Sequence, residues 1–141
     1  MNTSTITPTP TPSAGPRQVT LELYAALLAG QLEDARRHTH DDVVLHVPGS
    51  HPLAGDHRGP DALVRFVEAS RERTDTGENL EVIDVLEGAG HAAVYLRVTA
   101  TRAGKVPLDN TTVHLLRVVD GRVAEVWLHN WDDLTVNEFW S

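Results

Sequence analysis

The order of periodicities along the chain predicts an α+β fold, in which a curved antiparallel (mixed) sheet wraps around N-terminal helices to form a cone with an internal pocket. Helical apolar spacing is confined to stretches before residue 72. Four segments rich in Val, Leu and Thr then follow one another from Leu80 to Trp131. Asp120-Gly121 separates the last two, and its Gly supplies the positive φ that a two-residue hairpin turn needs. Helices first and long strands afterwards place the helices on one face of a sheet. Clefts of that kind hold small molecules.

Residues 1–16, MNTSTITPTPTPSAGP, are Thr, Pro, Ser and small residues without an apolar period, which predicts a disordered tail. Residues 17–141 then form one domain of common size. Between Val19 and Arg37, apolar Val19, Leu21, Leu23, Ala26, Leu27 and Leu32 fit helical spacing, broken near Gly30, which predicts a helix, a turn and a short second helix. Val43-Val44-Leu45-His46-Val47 is a β-branched run stopped by Pro48-Gly49, hence a short strand. Pro48 to Pro60 reads as a loop. From Asp61 to Arg71, Leu63, Val64, Phe66 and Val67 oppose Arg65, Glu68 and Arg71 on an amphipathic helix, with Pro60 suited to its first turn. Strands are expected at Leu80–Leu86, His91–Arg102, Thr111–Val119 and Arg122–Trp131.

With 12 Lys+Arg against 20 Asp+Glu the formal charge is −8, which argues against nucleic acid as a partner, since phosphate affinity comes from clustered cations. No run approaches the ~18 apolar residues of a membrane span. The 16 residues at the start lack the basic and apolar regions of a secretory signal. There is no Cys, so no disulfide, thiolate metal site or cysteine nucleophile exists. The cytoplasm is the expected compartment. No Gly-x-Gly-x-x-Gly, phosphate loop or Gly-x-Ser-x-Gly elbow is present, so no cofactor is expected.

The element order, the segment HVPGSHPLAGDHRGPDALVRFV and the ending LLRVVDGRVAEVWLHNWDDLTVNEFW resemble the nuclear transport factor 2-like superfamily, nearest to its ketosteroid isomerase and SnoaL-like polyketide cyclase types. The resemblance implies an apolar pocket inside the cone, with function set by a few polar residues on its walls, and commonly a homodimer. Val44-Leu45-His46-Val47-Pro48-Gly49-Ser50 resembles the isomerase segment whose third residue is the proton-shuttling carboxylate, so the resemblance puts His46 in that place. The isomerase's oxyanion-supporting carboxylic acid corresponds to His114, and its first-helix tyrosine is best matched by Leu23, one position from Tyr24. The cyclase carboxylate after a strand Trp has no equivalent, since Leu128 follows Trp127, and Arg97-Val98-Thr99 lacks the carboxylate of an epoxide hydrolase.

Side chains two apart on a strand share a face, so His114 goes with Leu116 and Val118 on an apolar wall, opposite Arg117. An imidazole near its ordinary pKa of ~6.5 can take and return a proton at neutral pH. These considerations predict His46 as the base acting on a hydrophobic, polyketide- or steroid-like carbonyl compound and His114 as hydrogen-bond donor to the enolate oxygen. Tyr24, Phe66, Leu116 and, from a loop placed to cross the mouth, His51 and Leu53 are candidate substrate-binding residues. Trp127 and His129 share a face that lines either the pocket or a dimer surface. Asp132 either orients a histidine or, with Asp133, caps the next helix. His38, His40, His46, His51 and His57 crowd one stretch without firm ligand spacing, so no metal site is expected. Dehydration of the scytalone dehydratase type, and a non-catalytic binding or assembly protein, are the rival readings.

Overall fold

A computed structural model describes residues 14–141, so most of the expected tail lies outside the described residues. Helix α1 (Pro16–Leu28) starts with Pro in its first turn, where a missing N–H costs nothing, and α2 (Leu32–Arg37) follows after Gly30 takes a φ of 72° that few other residues adopt. Strand β1 spans Thr39–Val47, β2 Gly55–Arg58, and α3 Ala62–Glu72. The meander β3 (Asn79–Glu87), β4 (His91–Ala100), β5 (Leu108–Val119) and β6 (Arg122–Asn130) leads into α4 (Asp133–Trp140). None of these helices is long and apolar enough to cross a membrane.

One six-stranded sheet results, in the order β2-β1-β6-β5-β4-β3. Every neighbouring pair is antiparallel except β1 with β6, where Leu45 lies opposite Val126 in parallel register. Asp120 and Gly121 take φ of 51° and 77°, the paired positive values of a tight turn matched to strand twist. The core lies between the helices and one face of this sheet, where Val19, Leu23, Val43, Val94, Leu96, Leu116, Val123 and Val126 are buried.

Two differences from the sequence reading have a common cause. The segment read as a loop contains β2, which pairs with β1 from Val44 opposite Arg58 to Val47 opposite Gly55. Likewise, β1 begins four residues before the apolar run, at Thr39. Both stretches, Gly-Asp-His-Arg and Thr-His-Asp-Asp, are polar because they form the sheet's rim, and edge strands carry charge rather than alternating apolar residues. Pro60 also sits before the α3 N-cap, Asp61, rather than inside the helix.

Truncating Leu116, fully buried where β4, β5 and β6 meet α1, is expected to cost about 2–5 kcal/mol. Urea unfolding of Leu116→Ala should show that loss as a lower midpoint at unchanged slope.

Candidate active site

Strand parity assigns the walls. On β5 the even-numbered Leu108, Asn110, Thr112 and His114 face inward, and on β6 Val126, Leu128 and Asn130 do the same. On β1 the inward positions are Val43, Leu45 and Val47, all apolar. With Tyr24 and Leu27 from α1, Leu63, Phe66 and Val67 from α3, and Val136 and Trp140 from α4, these residues enclose a mostly apolar cavity of about 100 Å³. Among the described residues that line it, none is Lys or Arg.

One polar pair dominates the inner wall. The Tyr24 hydroxyl lies 2.6 Å from His114 Nδ1, joining the first helix to the fifth strand through the core. Burial pushes the Tyr24 phenol up, so it stays protonated. Burial, helped by His129 on the neighbouring strand, lowers His114 to about 4, so its ring is neutral at pH 7. His114 keeps surface toward the cavity while its surroundings remove it from bulk water. A neutral phenol beside a neutral imidazole donates its O–H to Nδ1, which leaves the ring's proton on Nε2. That N–H is the group His114 can offer to a ligand oxygen.

The other cavity titrants are His51 and Glu78. His51 is 7% exposed, and burial lowers its pKa against the opposing effect of the Pro48 carbonyl. Burial raises the Glu78 carboxyl, with Ser70 opposing. Glu78 immediately precedes Asn79, which pairs through Thr99 with Asp109, whereas His114 is five residues further along β5, roughly 17 Å of strand. Glu78 and His114 therefore belong to different ends of the cavity.

His46 requires a correction. It does not line the cavity, because Leu45 and Val47 take the inward positions and alternation turns His46 to the outer face of the sheet. There Nδ1 lies 2.7 Å from Asp56 Oδ1 and Nε2 lies 2.6 Å from Glu125 Oε2, while the ring stacks on Trp127 at 5.5 Å. Carboxylates accept only, so both nitrogens carry protons and the ring is an imidazolium. Glu125 raises its pKa most, burial opposes, and Asp56 adds to the rise. In return the His46 hydrogen bond holds Glu125 below the usual carboxylate range, and Arg117 contributes from 3.2 Å. Carboxylates facing a histidine are what a dehydratase would need, but these stand outside the cavity.

The same alternation places Trp127 and His129 on the outer face. Leu116 lies wholly in the core beneath His114, and Leu53 is buried without lining the cavity. Asp132 caps α4, accepting from the Thr135 N–H at 3.1 Å and the Thr135 hydroxyl at 2.8 Å, and does not reach a histidine. Tyr24, His51, Phe66 and His114 come together around the cavity. Sequence reading missed Asn110, Thr112, Asn130 and Glu78; Thr112 was available from parity with His114, Asn110 precedes the expected strand start at Thr111 although β5 begins at Leu108, and Glu78 follows a loop glycine without pattern. Of the clustered histidines, His40 bonds the Val119 carbonyl at 2.6 Å and His57 the Leu53 carbonyl at 2.8 Å, so they diverge.

Residues 20–126 match the SnoaL-like domain. The chain belongs to the SnoaL-like family. An uncharacterised protein of Mycobacterium tuberculosis is 32% identical over 119 residues, covering 84% of this chain and 90% of its own. The structure of Bal32a, from a soil-derived mobile gene cassette, superposes with a TM-score of 0.83 at 26% identity, covering 88% of this chain and 95% of that one. A nuclear transport factor 2-like protein of Burkholderia xenovorans superposes with a TM-score of 0.75 at 18% identity, covering 88% and 94%. SnoaL-like membership places the chain among small-molecule isomerases, cyclases and binding proteins of the cone fold.

Two pH effects follow from the site. Because His114 is neutral in the folded state down to about pH 4 but protonates near 6.5 when unfolded, stability should fall as pH drops through that interval, by on the order of 3 kcal/mol. A ring titration by NMR should give the low midpoint directly. His46 has the opposite sign: its raised folded pKa stabilises below the unfolded value, and the benefit is lost as pH rises through the folded one. The stability gap between wild type and His46→Gln should therefore narrow as pH rises through that folded pKa, in chemical denaturation run across pH.

Proposed function

We propose that this SnoaL-like protein is a cofactor-independent enzyme that isomerises or cyclises a small hydrophobic carbonyl compound, with His114 as the residue that touches the carbonyl oxygen. The observation that carries this reading is the buried 2.6 Å bond between Tyr24 and His114 inside an apolar cavity. Tyr24 holds His114 in the tautomer whose Nε2–H points its hydrogen bond at the ligand. When a C–H next to the carbonyl is lost, its electron pair becomes an enolate and negative charge develops on oxygen, where a fixed donor in a dry site is worth most. Reprotonation at another carbon gives an isomer; attack of the enolate carbon on a second carbonyl closes a ring.

With His46 on the outer face, no carboxylate among the described residues stands level with His114 in the cavity. The substrate is accordingly a carbon acid with two activating neighbours, whose proton leaves to hydroxide or a buffer base at the open side of the cavity. A cavity of about 100 Å³ excludes a fused steroid, given that a ~150 Å³ engineered cavity takes one benzene, and limits the enclosed part of the substrate to at most a single ring. The outer sheet face, with half-buried Trp127, Val113 and Leu115 beside exposed Trp131 and Tyr95, is the surface for pairing as a homodimer. The proposed setting is the cytoplasm.

A non-catalytic binding role is the second reading, favoured by the apolar residues at every inward position of β1 and by the weak basicity of His114. Deuterium exchange separates the two. Phenylacetone in D2O is expected to exchange its benzylic protons faster with the protein than without, and His114→Leu should reduce that acceleration by about 10²-fold. Binding of phenylacetone with no acceleration by the wild type would leave the binding role instead.

A further inference from the structure

Two buried polar atoms on the cavity wall have no partner: Nε2 of His51 and Oδ1 of Asn110. Their residues are only 7% and 6% exposed. The protonation of the first is fixed by its neighbour. The Leu53 backbone N–H donates to His51 Nδ1 at 3.1 Å, so the neutral ring carries its proton on Nε2. Burial favours that neutral ring. The second is fixed likewise, because Asn110 Nδ2 donates to Asn130 Oδ1 at 2.9 Å and leaves Oδ1 bare. The cavity thus presents one bare acceptor and one donor that has the Pro48 carbonyl nearby but makes no well-formed hydrogen bond to it, and such groups are rare in folded proteins unless a water or ligand meets them.

Both belong to the α4 end of the cavity. The His51 ring packs against Trp140 with centroids 6.4 Å apart, and Asn130, which holds Asn110, ends β6 just before α4. The Tyr24–His114 pair lies four residues further along β5 from Asn110, roughly 13 Å of strand. That spacing is on the scale of a one-ring ligand with substituents at opposite ends.

We propose that His51 and Asn110 form a second polar anchor that reads a ligand hydroxyl. The hydroxyl oxygen accepts from His51 Nε2–H while its own proton is donated to Asn110 Oδ1. A ketone offers no proton for Asn110, and a carboxylate meets neither a proton acceptor it can serve nor a Lys or Arg on the described wall, with the Glu78 carboxyl nearby. The ligand class is an uncharged one-ring ketone with a hydroxyl remote from its carbonyl. This rests on the cavity being the ligand site, as in the function proposed above, and not on the ligand being turned over.

Calorimetric titration of the full chain with phenylacetone, 4-hydroxyphenylacetone and 4-hydroxyphenylacetate tests it. The hydroxyl is expected to tighten binding of the ketone about tenfold, and the anion to bind more weakly than its ketone counterpart. In Asn110→Leu, of matched size, the ratio between the two ketones should fall to about one. Equal binding of the two ketones by wild type overturns the proposal, as does a preserved ratio in the folded variant or binding of neither ketone. A measurement needing no variant stands beside this: the His51 Nε2–H proton resonance should move on adding 4-hydroxyphenylacetone and not phenylacetone, and an unmoved resonance overturns the anchor. Hydroxyl preference without benzylic exchange supports the anchor while removing the catalytic reading; exchange without the preference does the reverse.

Discussion

What the sheet brings to the chemistry of this molecule depends on the two-residue alternation of an extended chain. A strand that buries one face has no freedom to choose which side chains go in, since moving one inward moves its neighbours out. On β1, Leu45 and Val47 claim the interior, and His46 is thereby committed to the outside whatever its chemistry. On β5, Leu116 is buried in the core, and His114 and Asn110 come inside with it. The apolar core selects the polar residues that the sheet contributes to the cavity by parity, while Tyr24 comes from α1 and His51 and Glu78 from loops.

Burial then sets the protonation states. Inside, where no described cation lines the wall, the neutral forms win: the Tyr24 phenol is pushed up and the His114 imidazole down. Outside, a histidine between two carboxylates goes the other way, and its charge laces β2, β1 and β6 together. The same residue type serves as a neutral hydrogen-bond donor on one side of the sheet and as a cation on the other. Only the neutral one has the cavity in front of it.

The fold was legible because its signals are local and redundant. Helical spacing before residue 72, four strand segments and the Asp120-Gly121 turn each marked an element, and alternation correctly grouped His114 with Leu116. The site was legible only in part. Matching His46 to a carboxylate position by sequence order is insensitive to a one-residue slip, and one residue is the difference between cavity and surface. Tyr24 illustrates the converse: the first-helix match fell on Leu23, which is wholly buried, while the neighbouring Tyr24 reaches His114. Glu78 and β2 carried no periodic signal, since a residue beside a loop glycine and a polar rim strand look alike in sequence.

The single parallel pairing, β1 against β6, has a consequence for how the chain reaches this structure. Strands β3 to β6 are neighbours in sequence and can zip together through short turns. β1 must instead find residues about 80 positions away, from Thr39 opposite Val123 to His46 opposite Trp127. Closing so long a loop costs entropy before any contact repays it. Loop-closure cost therefore favours assembly of the meander ahead of docking of the β2–β1 hairpin onto its open edge. Until that hairpin docks, the edge of β6 is an unpaired strand in the half-assembled chain, a sticky edge that the last pairing covers.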